Sequence, residues 1–344
     1  MHDNNYLKWL SRETDTTWWH DSGDPNELKE ALENGAVGVT TNPVLCAQAL
    51  KRNKEYWLED ISRVIDTEKT PSAKAESLMR IVVVDAAKQL EPIFDSSRRR
   101  HGYVCAQVNP SLAGNREAMF EMATRFNAWA PNIAVKLPAT AAGLDVMEKC
   151  VCAGITVTIT VSFCVPQVYA AGARYQQLVS TRKVGSSIGK CFAVIMIGRL
   201  DDYLREVFSD NQDPISEEEV RMAGLSVVKH AYQLYQQNEF ETVLLIAALR
   251  GNYHVTGLVG GNLVMSIHPT YQKSLQADPD GFERKISEQI PAAIQNKLDG
   301  LPEFVRAYAP QGISDKEMIT FGPTQRTLAQ FIEAGWKPLE QFQL

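Results

Sequence analysis

No apolar run in this chain approaches the roughly 20 residues that a bilayer-spanning helix needs. The first residues, Met1-His2-Asp3-Asn4-Asn5, carry neither the basic nor the apolar region of a secretory leader. Cysteine is scarce, six in 344 residues with no Cys-x-x-Cys, which is too few for a disulfide scaffold. Histidine is equally scarce at six, and no His-Glu-x-x-His occurs, so neither a metal nor another cofactor is expected. No Gly-x-Gly-x-x-Gly follows a strand pattern, which removes the usual dinucleotide fingerprint. Positive charge is also short: 35 Lys and Arg against 41 Asp and Glu give a net charge of −6. That balance argues against a nucleic-acid partner. It leaves room for a small anion, since a few local arginines can dominate one cleft. The expectation is a cytoplasmic protein with a small-molecule substrate and no membrane partner.

What is present is an ordinary globular composition, 44% apolar and 22% charged. Short β-branched or aromatic runs recur at Thr17–Asp21, Val37–Thr41, Tyr103–Val108, Ile133–Leu137, Ile155–Val161, Phe192–Ile197, Thr242–Ala247 and Asn262–Ile267. Uninterrupted runs of this kind read as strands buried on both faces. Helical patterns separate them. Asp24-Pro25-Asn26-Glu27 places a capping Asp before a Pro at the first helical position, with Glu27 at the capping-box position. Leu28, Ala31 and Leu32 form the apolar stripe and Gly35 ends the helix. Ser216 and Glu219 repeat the box before a helix over Val220–Tyr235, and Ala75–Leu90 and Arg116–Trp129 have the helical period.

Eight strand–helix units predict a closed (β/α)8 TIM barrel. The excess length falls in a helical insertion at about residues 45–100, after the second strand, and in a C-terminal helical extension at about 271–344. The extension holds a helix at about Thr324–Ala334, ended by Gly335. One domain over 1–344, with the barrel at about 15–270, is the economical reading. An open doubly wound sheet is the alternative architecture.

Lys136 lies inside the apolar segment Asn132-Ile133-Ala134-Val135-Lys136-Leu137-Pro138. Burying an ammonium is expensive, so such a position favours the free amine, which attacks carbonyls and forms a Schiff base. The plain alternative is a strand-end lysine paired with a carboxylate or reaching solvent. Asp21 ends the first strand, where a carboxylate faces the mouth of a barrel and can move protons. Capping the next helix is its alternative role, which Asp24 already fills. Thr40-Thr41-Asn42-Pro43 closes the second strand with groups that can bind sugar hydroxyls or simply make a turn. Gln107 ends the third strand. Thr158 and Thr160 alternate on the fifth, facing the barrel interior. Arg199 follows the sixth strand and Arg250 the seventh; at matching strand ends they make an anion clamp. A surface ion pair of Arg199 with Asp201 or Asp202 is the alternative. Arg98-Arg99-Arg100-His101 reads as a solvated loop. Val184-Gly185-Ser186-Ser187-Ile188-Gly189-Lys190 lacks phosphate-loop spacing and precedes a strand, so it too reads as a loop.

Taken together, Asp21-Ser22-Gly23-Asp24, Gly38 through Pro43, Ile133 through Gly143, Gly154 through Thr160, Gly198-Arg199-Leu200-Asp201 and Arg250 resemble the transaldolase family over about residues 15–270. The resemblance implies a (β/α)8 barrel and class I aldol chemistry without metal. A three-carbon ketol unit would move between sugar phosphates, as in the pentose phosphate pathway. By position it makes Lys136 the Schiff-base nucleophile and Asp21 the proton-transfer carboxylate. Asn42, with Thr40 beside it, would contact donor hydroxyls, Thr160 would help hold a catalytic water, and Arg199 and Arg250 would bind phosphate. A homodimer is compatible with it. Four positions depart from the family pattern. Gln107 stands at the water-activating position, where Glu is usual and where the related fructose-6-phosphate aldolases carry Gln. Thr158 stands where Asn is usual, and Val194 and Ala248 replace small hydroxyl residues. The aldol machinery is therefore expected intact and donor recognition altered. The alternatives are an aldolase that releases the ketone to water, a barrel that only binds sugar phosphate, and a deoxyribose-phosphate-aldolase-like activity.

Overall fold

A computed structural model describes residues 5–182, 187–277 and 281–344. The opening residues Met1–Asn4 and the 184–186 part of the Val184–Lys190 loop lie outside the described residues. Eight parallel strands close into a barrel in sequence order, β1 Thr17–His20, β2 Gly38–Val39, β3 Tyr103–Gln107, β4 Ile133–Pro138, β5 Val157–Thr160, β6 Cys191–Met196, β7 Val243–Ala247 and β8 Val264–Ile267. β8 pairs back onto β1 in the register Thr17↔Val264 to His20↔Ile267. The doubly wound alternative is thereby excluded.

Side-chain alternation along each strand decides what fills the barrel. At the lower end three rings plug it: Trp19 and Tyr103 both pack against Phe192, at centroid distances of 4.9 and 5.5 Å. Gly38 is required there, because a Cβ would lie 2.6 Å from the Trp19 indole. One pleat higher on the inner face come the polar residues Thr40, Lys136 and Ser266.

The helices begin where the sequence signals place them. Asp24 accepts from the N–H groups of Asn26 and Glu27 at 2.9 and 3.3 Å and caps Pro25–Glu33, and Gly35 leaves that helix at φ +96°. Glu27 does not reach back to Asp24. Its carboxylate accepts from Ser22 Oγ at 2.5 Å, while Ser22 Oγ accepts the Asp24 N–H at 3.1 Å. The Ser216–Glu219 capping box closes at the start of Glu217–Gln237. Between β2 and β3 lie three helices, Pro43–Arg52, Leu58–Thr67 and Pro71–Ser96.

The C-terminal extension departs from expectation at Gly335. The helix runs Gly322–Phe331 and continues through a π turn, Ile332–Trp336, that contains Gly335. A Cβ at Gly335 would lie 2.7 Å from the Val44 nitrogen and 2.8 Å from Pro43 Cβ. This glycine therefore lets the extension seat on the start of helix Pro43–Arg52, and it does not terminate a helix. Among the described residues, no helix is long and apolar enough to cross a membrane.

Candidate active site

A cavity of about 400 Å³ opens at the C-terminal ends of the strands and is bordered by Asp21, Thr40, Asn42, Lys136, Thr160, Arg199 and Arg250. Lys136 is 7% exposed. Its Nζ donates to the Thr41 carbonyl at 3.1 Å, reaching from β4 across β3 to the end of β2. Thr41 is fixed in turn by its own hydroxyl, which donates to the Cys105 carbonyl at 2.6 Å. Among the described residues no carboxylate forms an ion pair with Lys136, so the lysine is not the paired strand-end residue of the plain alternative. Its nitrogen has one main-chain acceptor and faces the cavity.

Asp21 follows β1 and makes no capping contact; that work is done by Asp24. Thr40 Oγ1 donates to Asp21 Oδ1 at 2.6 Å and lies 2.5 Å from Ser266 Oγ. The carboxylate thus keeps its other oxygen for the cavity. Asn42 does both things allowed to it: Oδ1 accepts the Leu45 N–H at 3.0 Å as a helix cap, and the residue borders the cavity. Thr160 borders the cavity as well. Gln107 and Thr158 do not. Gln107 pairs in register with Lys136 and is buried, with no partner for Oε1 among the described residues. Thr158 sits one pleat below Thr160, its hydroxyl 3.6 Å from Cys105 Sγ.

Both arginines border the cavity, and the alternative ion pair of Arg199 is not formed. Arg199 lies in helix Ile197–Asp210 and pairs with neither Asp201 nor Asp202. It bonds Gln330 and, at 3.4 Å, Thr327 of the C-terminal extension, and its guanidinium stands 5.3 Å from the centre of the Phe331 ring. Its Nε is buried and has no partner among the described residues. Burial first, and the charge of Arg250 second, lower this guanidinium to about 10, so it stays charged at neutral pH. Asp202 instead binds Arg250, accepting from Nε and NH2 at 2.9 and 2.6 Å.

Two residues of this rim have strained backbone. Val161 after β5 and Ala248 after β7 adopt φ of 54° and 57°, a region that β-branched residues in particular avoid. The fully buried Gln167 stabilises the first of these bends: Nε2 donates to the Val161 and Ala139 carbonyls at 3.2 and 3.1 Å, and Oε1 accepts the Phe163 N–H at 2.9 Å.

Comparison with known proteins adds a second line of evidence. The family model described as transaldolase/fructose-6-phosphate aldolase matches residues 18–334. The chain belongs to that family. It is 28% identical over 324 residues to a protein named transaldolase in Neisseria meningitidis serogroup C, covering 82% of this chain and 90% of that one. It is 28% identical over 230 residues to a transaldolase of Thiobacillus denitrificans, covering 65% and 63%. It is 29% identical over 248 residues to transaldolase 2 of Streptomyces avermitilis, covering 67% and 64%. The chain thus spans somewhat under two thirds of the last two relatives' lengths. For a member of the transaldolase/fructose-6-phosphate aldolase family, the match extends beyond the barrel into the extension that supplies Phe331 to the cavity.

Sequence reasoning missed several cavity residues. Ser266 and His268 stand two apart at the end of β8, and the alternation that singled out Thr158 and Thr160 would have found them. His268 takes the Thr270 N–H on Nδ1 at 3.3 Å. Phe331 lies more than 130 residues beyond Arg199, and no local pattern announces it.

Proposed function

We propose that the chain is a transaldolase-type transferase acting on sugar phosphates in the cytoplasm. The Lys136 amine adds to the ketose carbonyl, and loss of water leaves a Schiff base. Asp21 accepts the hydroxyl proton as the adjacent carbon–carbon bond breaks and the shortened aldose departs. The three-carbon unit stays on Lys136 as an enamine, attacks an acceptor aldehyde, and the proton returns through Asp21. Hydrolysis of the new Schiff base frees the product. The phosphate is held by Arg199 and Arg250, donor hydroxyls by Thr40 and Asn42, with Thr158 lending shape from below. Barrel and extension act as one domain, since Arg199 is oriented from the extension.

The observation that carries this reading is a nearly buried lysine amine, with no ion pair among the described residues, that borders the same cavity as the Asp21 carboxylate at the end of β1. Two further roles rest on the family resemblance: Thr160 and Gln107 holding the water that hydrolyses the Schiff base. A second reading, an aldolase that releases the ketone to water, is favoured by Gln107. The resemblance supports it, since the related fructose-6-phosphate aldolases carry Gln at that position; among the described residues its buried Oε1 has no partner and can accept a hydrogen bond from a water. A barrel that merely binds sugar phosphate would need neither Lys136 nor Asp21.

Borohydride reduction in the presence of candidate ketose phosphates, followed by peptide mass mapping, tests the chemistry. A mass increment on the Lys136 peptide supports it; an increment on another lysine, or none with any donor, sinks it. Product analysis with and without an aldose phosphate acceptor separates transfer from release.

A further inference from the structure

Two consecutive aspartates of helix Ile197–Asp210 hold opposite ends of Arg250. Asp202 takes the guanidinium, as described. Asp201 acts through an imidazole. His254 and Asp201 are both 0% exposed, and His254 Nε2 lies 2.8 Å from Asp201 Oδ2. The other ring nitrogen, Nδ1, accepts the main-chain N–H of Arg250 at 3.1 Å. Because Nδ1 accepts, the ring proton sits on Nε2 and is donated to Asp201. The second oxygen of Asp201 accepts the Gly224 N–H at 2.9 Å, and a Cβ at Gly224 would lie 2.5 Å from that oxygen. Helix Glu217–Gln237 is thus seated against the pair as closely as a glycine permits.

This pair is an unusual thing to bury. An imidazole–carboxylate contact removed from water is weak evidence for stability, since apolar residues of similar size commonly do as well. What the pair contacts is more informative. It ends on the backbone of Arg250, two residues after the left-handed Ala248. Arg250 itself donates from NH1 to the carbonyls of Ala248 and Leu249 at 3.0 and 3.1 Å. The bent segment from Ala248 to Arg250 has its shape fixed from beneath by His254.

We propose that Asp201 and His254 are positioning residues for anion recognition: they fix the main chain at Arg250 so that its guanidinium stays at the barrel mouth beside Arg199. Neither touches substrate. The proposal rests on reading Arg250 as a phosphate-binding residue, and the experiment separates the two.

Inorganic phosphate, titrated calorimetrically against the full chain, is the first probe and needs no turnover. Kinetics with a phosphorylated aldose acceptor and its unphosphorylated counterpart is the second. Arg250→Ala should weaken phosphate and raise KM for the phosphorylated acceptor by about 100-fold, the scale of a lost charge-assisted contact. His254→Ala should raise the same two quantities about tenfold, the scale of one neutral hydrogen bond, with kcat and the unphosphorylated KM within about twofold of wild type. His254→Asn, whose Oδ1 can accept the Arg250 N–H, should recover most of that loss. If Arg250→Ala affects both acceptors alike and leaves phosphate binding unchanged, the phosphate reading of Arg250 fails, and the positioning role with it. If Arg250→Ala acts selectively while His254→Ala leaves phosphate binding alone, shifts kcat, or moves both KM values together, the positioning role alone is overturned. An Asn variant no better than Ala also overturns it. Should His254→Ala fail to fold, Asp201→Asn replaces it, with the same selective rise expected and the same results against.

Discussion

Thr40 gives its only hydroxyl hydrogen to Asp21 Oδ1 at 2.6 Å and so must take the Ser266 hydrogen across 2.5 Å. The order Ser266, Thr40, Asp21 therefore links the inner faces of β8 and β2 to the carboxylate that ends the strand between them. A carboxylate that receives a hydrogen bond of this kind is oriented before substrate arrives, and orientation is where much of the benefit of a proton-transfer group resides.

Asp21→Asn should lower turnover by about 100-fold or more, the usual scale of general acid–base assistance. Melting temperature should change little, because the cap of the following helix belongs to Asp24. Thr40→Val should keep the volume and lose the orientation, giving a smaller drop in kcat. A variant that unfolds early yet turns over normally while folded would show Asp21 to be structural.

Arg199→Ala should raise KM for phosphorylated substrates by about ten- to a hundredfold, equivalent to roughly 1.5–3 kcal/mol for a charge-assisted bond. Unphosphorylated substrates should be nearly unaffected. Because Gln330 and Thr327 hold this guanidinium, Gln330→Ala should shift KM in the same direction by less. Equal effects on both substrate types would refute an anion clamp.

These sites were legible in the sequence where chemistry and period coincide. Lys136 stands out because an apolar strand seldom contains a lysine, and Asp21 because Asp24 leaves it no capping duty. All eight strands were legible because buried parallel strands are β-branched and uninterrupted, even β2, whose paired part is only Gly38–Val39. What stayed hidden depends on long-range packing. The ion pair weighed as the alternative for Arg199, with Asp201 or Asp202 within one turn, is not formed, and Asp202 pairs instead with Arg250, 48 residues on. Gly335 looked like a helix stop because glycine at a helix end usually is one; its contact with Pro43 is invisible locally. Alternation placed Thr158 and Thr160 on the inner face, yet only depth along the strand separates the one beneath the cavity from the one beside it.

Stability should fall as pH drops below about 6.5. His20 is fully buried, and burial, outweighing the nearby Asp21 charge and the Gln272 contact, lowers its imidazole from the ordinary 6.5 to about 4. The unfolded chain binds the proton first, so between those values it holds more protons than the folded one. The associated stability is present in full above pH 6.5 and is lost as pH falls toward 4, by up to about 3 kcal/mol. Urea unfolding at intervals from pH 7 to 4.5 measures the slope. His20→Gln should flatten it; an unchanged slope would assign it to other groups.

The donor side of the cavity should discriminate little against a less hydroxylated unit. Val194 lies on β6 and borders the cavity beside Leu245 of β7, its register partner, and Leu249. Where the family pattern has a small hydroxyl residue, this wall offers only methyl groups, and Thr158 lies beneath the cavity instead of beside it. A terminal hydroxyl of the donor thus loses one partner. Hydroxyacetone should then compete well with dihydroxyacetone, and Val194→Ser should restore discrimination by up to about tenfold, the worth of one neutral hydrogen bond. The substitution removes buried apolar surface and should cost about 1–3 kcal/mol of stability, so kcat/KM is to be compared well below the melting temperature. The ratio of kcat/KM for the two donors, in wild type and variant, decides between a missing contact and one made by other means. A strong wild-type preference for dihydroxyacetone that the substitution leaves unmoved would assign the contact to a bridging water or a neighbouring side chain, such as Ser266 or Thr160, because either can present a hydroxyl to the same space.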